Sequence, residues 1–166
     1  MFHRCARTRF VQEIKLMDST KTALFAFCMD YVMERINRLK TEIKKTQSSA
    51  NEETKSSAGD KYETGRAMAQ LEIGKNTVQL REAGRLLGML QAIHVDLSSE
   101  IVIPGSLVKT NKGDFYISIS IGLIKLKQNQ YCIIAPDSPI GKLFMGKKVR
   151  DVISWNKTQY QITEIH

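Results

Sequence analysis

Long apolar runs are missing from this 166-residue chain: the longest, from Ala23 to Met29, stops at Asp30. A membrane-spanning helix needs roughly 18 apolar residues, so none is expected. A secretory leader is not expected either, because Asp18 and Lys21 fall where its apolar core would begin. Cysteine is scarce. Cys5, Cys28 and Cys132 are odd in number and far apart, and no CxxC occurs, which argues against a disulfide framework and for a reducing, cytoplasmic setting. His3, His94 and His166 show no metal-ligand spacing. With only 3 Pro and 10 Gly, collagen-like and linker-like classes are excluded. A Gly-rich phosphate loop, a Ser/His/Asp set and a nucleotide-binding fingerprint are all lacking. What remains, 42% apolar and 25% charged residues, is the balance of a folded chain.

Charge of one sign dominates. The net charge is +8, unevenly placed: residues 1–16 carry +3, 17–62 carry +1, 63–97 are neutral and 98–166 carry +4. A basic C-terminal part fits an acidic protein surface or a nucleic acid, and equally a solubilising exterior.

Residues 1–16 show no clear period and are expected to be a disordered basic arm or a wrongly assigned start. Asp18, Ser19 and Thr20 then offer N-caps. From Thr20 to about Ser49 there is no Gly or Pro, and Phe25, Cys28, Val32, Ile36, Leu39 and Ile43 recur at three- and four-residue steps. That spacing puts them on one helical stripe. A Ser-, Asn- and Gly-rich break follows, about residues 50–61. A second helix is expected from near Asp60. Tyr62, Arg66, Ala69, Ile73, Asn76, Leu80, Ala83, Leu87, Leu90 and His94 step through it as a heptad seam, with Asn76 as a register-fixing polar residue. Two long helices with a short connection predict an antiparallel coiled-coil hairpin over residues 17–97.

After Asp96 the period changes. Phe115, Ile117, Ile119 and Ile121 alternate with Tyr116, Ser118 and Ser120, the mark of a strand with one buried face. Residues 111–114 read as a hairpin turn, 131–134 as a short strand, and 152–155 with 160–165 as a final hairpin about Asn156-Lys157. The expected class is α+β: the helical hairpin, then an antiparallel sheet of about five strands with one short helix, over residues 98–166.

That short helix lies in APDSPIGKLFMGKKVRD, residues 135–151. Ser138 can cap it, Pro139 suits its first position, and Gly146 can end it in a left-handed turn. Ile140, Leu143 and Phe144 are expected to face the sheet. The segment resembles the C-terminal signature of the Gre transcript-cleavage factors: roughly SPIG, two or three residues, LLGK, then Gly-Asp before a strand. Met145-Gly146-Lys147 matches the LGK part and Asp151 the Asp, while Arg150 stands where the family has Gly. The layout from about Thr20 to His166 is similar to the family's. The resemblance implies an FKBP-like sheet domain that docks on the rim of the secondary channel of bacterial RNA polymerase, with the hairpin entering the channel. It places Ser138, Pro139, Ile140, Lys142, Lys147, Lys148 and Arg150 at the polymerase-binding surface. Nucleic acid would be reached only indirectly, and the chain would be a monomer.

In that family, acidic residues at the hairpin tip help hold the second Mg²⁺ of the polymerase active centre, which activates water to cut backtracked RNA. Alignment on Tyr62 puts Lys55 and Ala58 at the acidic positions. Glu52, Glu53 and Asp60 are the remaining candidates for holding Mg²⁺, which is shared with the polymerase and not tightly bound. As ordinary surface residues, Asp60 would favour a helix N-terminus and the two Glu would be solvated. Lys55 and Lys61 oppose a metal there, so a channel-binding regulator with weak or absent cleavage is the reading preferred, and the chain itself is not expected to be an enzyme. Two further classes stay open: an FKBP-like prolyl isomerase or chaperone, with Phe115, Tyr116, Tyr131, Phe144, Trp155 and Tyr160 as pocket aromatics, and a homo-oligomeric coiled-coil adaptor.

Overall fold

A computed structural model describes residues 3–53 and 59–166, with side chains for residues 20–51 and 64–166. The elements run α1 (His3–Glu53), α2 (Gly59–Gln91), β1 (Leu107–Thr110), β2 (Gly113–Ile117), β3 (Gly122–Leu126), β4 (Asn129–Ile134), α3 (Pro139–Phe144), β5 (Val152–Trp155) and β6 (Thr158–Ile165). The class is α+β. Among the described residues, no helix is long and apolar enough to cross a membrane.

Two helical boundaries differ from expectation. α1 is helical from His3 rather than from about Thr20, so the stretch read as a disordered arm carries helical backbone; its side chains lie outside the described residues. No Gly or Pro occurs before Gly59, and residues 3–16, with three Arg and one each of Ala, Gln, Glu, Lys and Leu, need no amphipathic period to propagate a helix already begun. α2 ends at Gln91, leaving His94 exposed and off the seam. The β-branched Ile93 and Val95, with Asp96, are poorer helix formers than the run before them.

The chain divides into two compact units, Met29–Gly88 and a second made of Met1–Cys28 with Met89–His166. The division therefore falls within the helices and not near Asp96. In the first unit, α1 and α2 pack along the expected seam. Val32, Ile36 and Leu39 are buried, as are Asn76 and Ala83, while Ile43, Ala69, Ile73, Leu80 and Leu87 are half-buried. Met68, Leu71 and Val78 are exposed. Leu71 and Val78, one heptad apart, lie on the opposite side of α2 from the seam.

The second unit contains a six-stranded sheet in the order β3-β4-β2-β1-β6-β5. All neighbours are antiparallel except β2 and β4, which are parallel. The expected all-antiparallel sheet of about five strands is corrected on both points. The alternation of residues 115–121 reads as one strand, but the ladder of β2 stops at Ile117. The chain then turns back through Gly122 (φ +94°), a conformation that glycine adopts without a Cβ penalty, and forms β3 before β4 returns beside β2. Val102, Val108, Phe115, Ile117, Ile134, Phe144, Ile153 and Ile162 make the core.

The first part of α1 belongs to this unit through buried polar contacts. Lys21 Nζ donates to the Leu97 carbonyl at 2.8 Å, and Cys28 Sγ lies 3.5 Å from Ser118 Oγ. Burial pushes the Cys28 thiol up to about 11, opposed in part by the Ser118 hydrogen bond. Tyr116 is fully buried, and burial likewise raises its phenol.

Candidate functional site

Residues 135–151 build the surface to which the sequence points. Ser138 takes an extended conformation at the N-cap of α3, where its Oγ accepts from Gly141 N at 3.0 Å and donates to the Ala135 carbonyl at 2.7 Å. Pro139 occupies the first turn, where its missing N–H costs nothing. The helix then buries Phe144, whose ring centroid is 4.8 Å from that of Phe115. Gly146, at φ +74°, reverses the chain. Its N–H donates to the Val102 carbonyl at 2.9 Å, and Val102 N donates to the Lys147 carbonyl at 2.8 Å.

The loop that follows is pinned at its far end as well. Asp151 Oδ2 accepts from Lys148 N at 2.9 Å, and Arg150 N donates to the Ile162 carbonyl at 2.8 Å. Arg150 holds φ +79°, the left-handed region where the Gly of the Gre signature would sit without strain. Lys142, Lys147, Lys148 and Arg150 are all exposed. Among the described residues none of the four makes an ion pair.

The seven residues expected at this surface thus take two roles. Lys142, Lys147, Lys148 and Arg150 present charge. Ser138 spends its hydroxyl on the cap, Ile140 is half-buried against the core, and Pro139 is exposed at the start of the helix; the first two build the surface. Leu143, expected to face the sheet, is 37% exposed instead, and Val149 (44%) and Ile101 (37%) are exposed too. Ile101 bridges to Lys148 in a one-residue ladder. Exposed apolar side chains within a polar rim are the anatomy of a protein interface. The signal for Val149 is its place inside a lysine- and arginine-rich loop, where an apolar residue has no core to enter.

At the other candidate site, Glu52 and Glu53 fall in the last turn of α1 and Asp60 in the first of α2. Their side chains, and residues 54–58, lie outside the described residues. Among the described residues, no group of three or more His, Cys, Asp or Glu could hold a metal. Toward this end of the first unit a cleft of about 190 Å³ opens between Gln47, Ala50 and Asn51 of α1 and Arg66, Gln70 and Ile73 of α2. Arg66, placed on the seam by its spacing, is exposed and lines this cleft.

The aromatics considered for an isomerase pocket are mostly core. Phe115, Tyr116, Tyr131 and Phe144 are buried, and Trp155 and Tyr160 are half-buried. Tyr160 meets Phe115 edge-on at 5.5 Å.

No family model, no curated protein and no solved structure matches the chain.

Proposed function

We propose that the chain is a bacterial, cytoplasmic RNA polymerase-binding factor of the Gre type, which regulates elongation from the secondary channel and stimulates little or no transcript cleavage. The observation that carries this reading is the segment of residues 138–151. Its cap, proline and left-handed glycine follow the Gre signature, and the segment carries four exposed cations, none in an ion pair among the described residues, beside exposed Leu143 and Val149. A long antiparallel helical pair precedes it in the chain, in the family's order. The cations suit an acidic rim on the polymerase, and the apolar side chains supply the contact area that charge alone does not.

Cleavage is the separable part. The acidic positions of the Gre tip align with Lys55 and Ala58, and the acids within the tip, residues 50–61, are Glu52, Glu53 and Asp60. The experiment is RNA cleavage in a stalled, backtracked complex with native protein and with the pair Glu53→Gln and Asp60→Asn. Both should bind polymerase within about 1 kcal/mol of each other, as for exposed charges, and both should cleave poorly. Robust cleavage that the pair abolishes would place these residues in the metal-holding role.

A second reading has one observation in its favour. Met68, Leu71 and Val78 are exposed on α2, as a homo-oligomeric coiled coil would require. Light scattering separates the two: a monomer at micromolar concentration removes the adaptor reading.

A further inference from the structure

Three two-residue turns lie at one end of the sheet. β2 and β4 are parallel, β1 is antiparallel to β2, and β6 is antiparallel to β1. So β2, β4 and β6 run in the same direction. Each is entered from a tight turn: Asn111-Lys112 before β2, Lys127-Gln128 before β4 and Asn156-Lys157 before β6. The strand order therefore sets the three turns two strands apart, with the β5–β6 turn about four residues, roughly 13 Å, further out along the strands. At about 4.8 Å per strand the lateral spacing is about 10 Å, and the set spans about 20 Å.

Each turn carries one lysine. Lys112, Lys127 and Lys157 are exposed, and among the described residues none makes an ion pair. Lys109, on β1, is by contrast bound to Glu164 at 2.8 Å. Asp114 is the acid closest in sequence to these turns, and it is half-buried. The other exposed residues of this end include the amides Asn111, Gln128, Asn129, Gln130, Asn156 and Gln159, with Lys125 and Ser154. The Asn111-Lys112 turn is held in place. Asn111 Oδ1 accepts from Gln161 N at 3.0 Å, Asn111 N donates to the Gln161 carbonyl at 3.2 Å, and Thr110 Oγ1 donates to the Gly113 carbonyl at 2.7 Å. Because Thr110 pairs with Ile162 while β5 pairs with residues 158–161, the β5–β6 ribbon projects beyond β1 and carries Lys157 at its tip.

We propose that this end of the sheet docks on the phosphate backbone of a nucleic-acid duplex. Exposed cations and amide donors, with no exposed large apolar side chain among them, fit a polyanion and not the apolar-centred patch of a protein partner. Exposed rings for base stacking are lacking at this end, since Tyr131 is buried and Trp155 half-buried; that favours a duplex over a single strand. A span of about 20 Å covers about six base pairs, and a two-stranded ribbon is narrow enough to enter a major groove. The contact is separate from the surface of residues 138–151 and does not depend on polymerase.

The test is fluorescence anisotropy of a labelled 20-base-pair duplex DNA with the full chain, without polymerase, across a salt series. Neutralising three phosphates gives a slope of log K against log salt of about −2.7, so affinity falls about 40-fold between 50 and 200 mM salt. The triple variant Lys112→Gln, Lys127→Asn, Lys157→Asn should remove that slope and weaken binding at 50 mM at least tenfold; Asn is chosen because Lys127 and Lys157 hold positive φ. A Lys→Arg triple at the same positions should bind like the native chain, which separates loss of charge from loss of fold. The triple Lys142→Gln, Lys147→Gln, Lys148→Gln should keep the native slope. Absence of duplex binding by the native chain, an equal loss in that second triple, or loss of binding to an acidic polypeptide with duplex binding unchanged would each overturn the proposal.

Discussion

Replacing Phe144 with Ala should unfold the sheet unit more than any surface change near it. Phe144 is fully buried, packs in the central cluster and pairs with Phe115. Truncating a buried Phe to Ala typically costs about 3–5 kcal/mol, of which the ring pair accounts for about 0.5–1.5 kcal/mol. Collapse around the hole is limited, because the cap at Ser138 and the turn at Gly146 fix both ends of α3. We therefore expect about 4 kcal/mol, a large share of the roughly 5–15 kcal/mol that holds a domain together. Phe144→Leu keeps most of the volume and should cost about 1.5 kcal/mol or less. The assay is urea unfolding followed by Trp155 fluorescence, since Trp155 is the single tryptophan and lies in this unit. With a slope of about 2 kcal/mol per molar urea, the Ala variant should shift the midpoint by about 2 M. A shift below about 0.5 M would mean that α3 does not close the core, and that the basic surface is held by other contacts.

In the helical unit, Leu80→Ala and Leu87→Ala should each cost about 2 kcal/mol, the low end for buried Leu because both are half-buried; helicity melts unchanged for both would show the seam misplaced. Ser138→Ala removes the α3 cap and should cost about 1 kcal/mol, while Gly141→Ala should cost more, since its added Cβ would overlap the Ala135 carbonyl; equal urea midpoints for the two would refute this ordering. The raised Cys28 thiol gives an alkaline signature. The unfolded chain releases this proton near 9 and the folded chain near 11, so stability is full below pH 9 and falls as the pH climbs from 9 toward 11. Urea midpoints against pH should show that fall in the native protein and a smaller one in Cys28→Ala; identical slopes would exclude Cys28 as a source.

Local signals made much of this fold legible. Ser138, Pro139 and Gly146 act within a few residues of themselves, so the cap, first turn and left-handed exit of α3 could be read directly. Asn156-Lys157 was readable as a hairpin turn for the same reason, and both residues hold positive φ. The seam from Val32 to Leu87 was legible because burial repeats with the helical period. Pairings set by distant chain were not. Nothing in residues 118–121 distinguishes a continuing strand from the turn that leads to β3, because Ile119 is buried in either case. The parallel partnership of β2 with β4 depends on the return path and not on composition. Leu143 has the spacing of a core residue, yet Phe144 takes the space against the sheet. At the candidate site, the four cations were readable as exposed, while the apolar company of Ile101, Leu143 and Val149 emerges only from folding.

Engagement of RNA polymerase through the surface of residues 138–151, as proposed, is open to direct titration. The most direct measurement is a titration of labelled native chain into core RNA polymerase, beside the triple variant Lys142→Gln, Lys147→Gln, Lys148→Gln. We expect a saturable one-to-one complex with the native chain and clearly weaker binding by the variant, with a salt dependence reduced to match the lost charges. Absence of a complex with the native chain, or equal binding by both proteins, would contradict it.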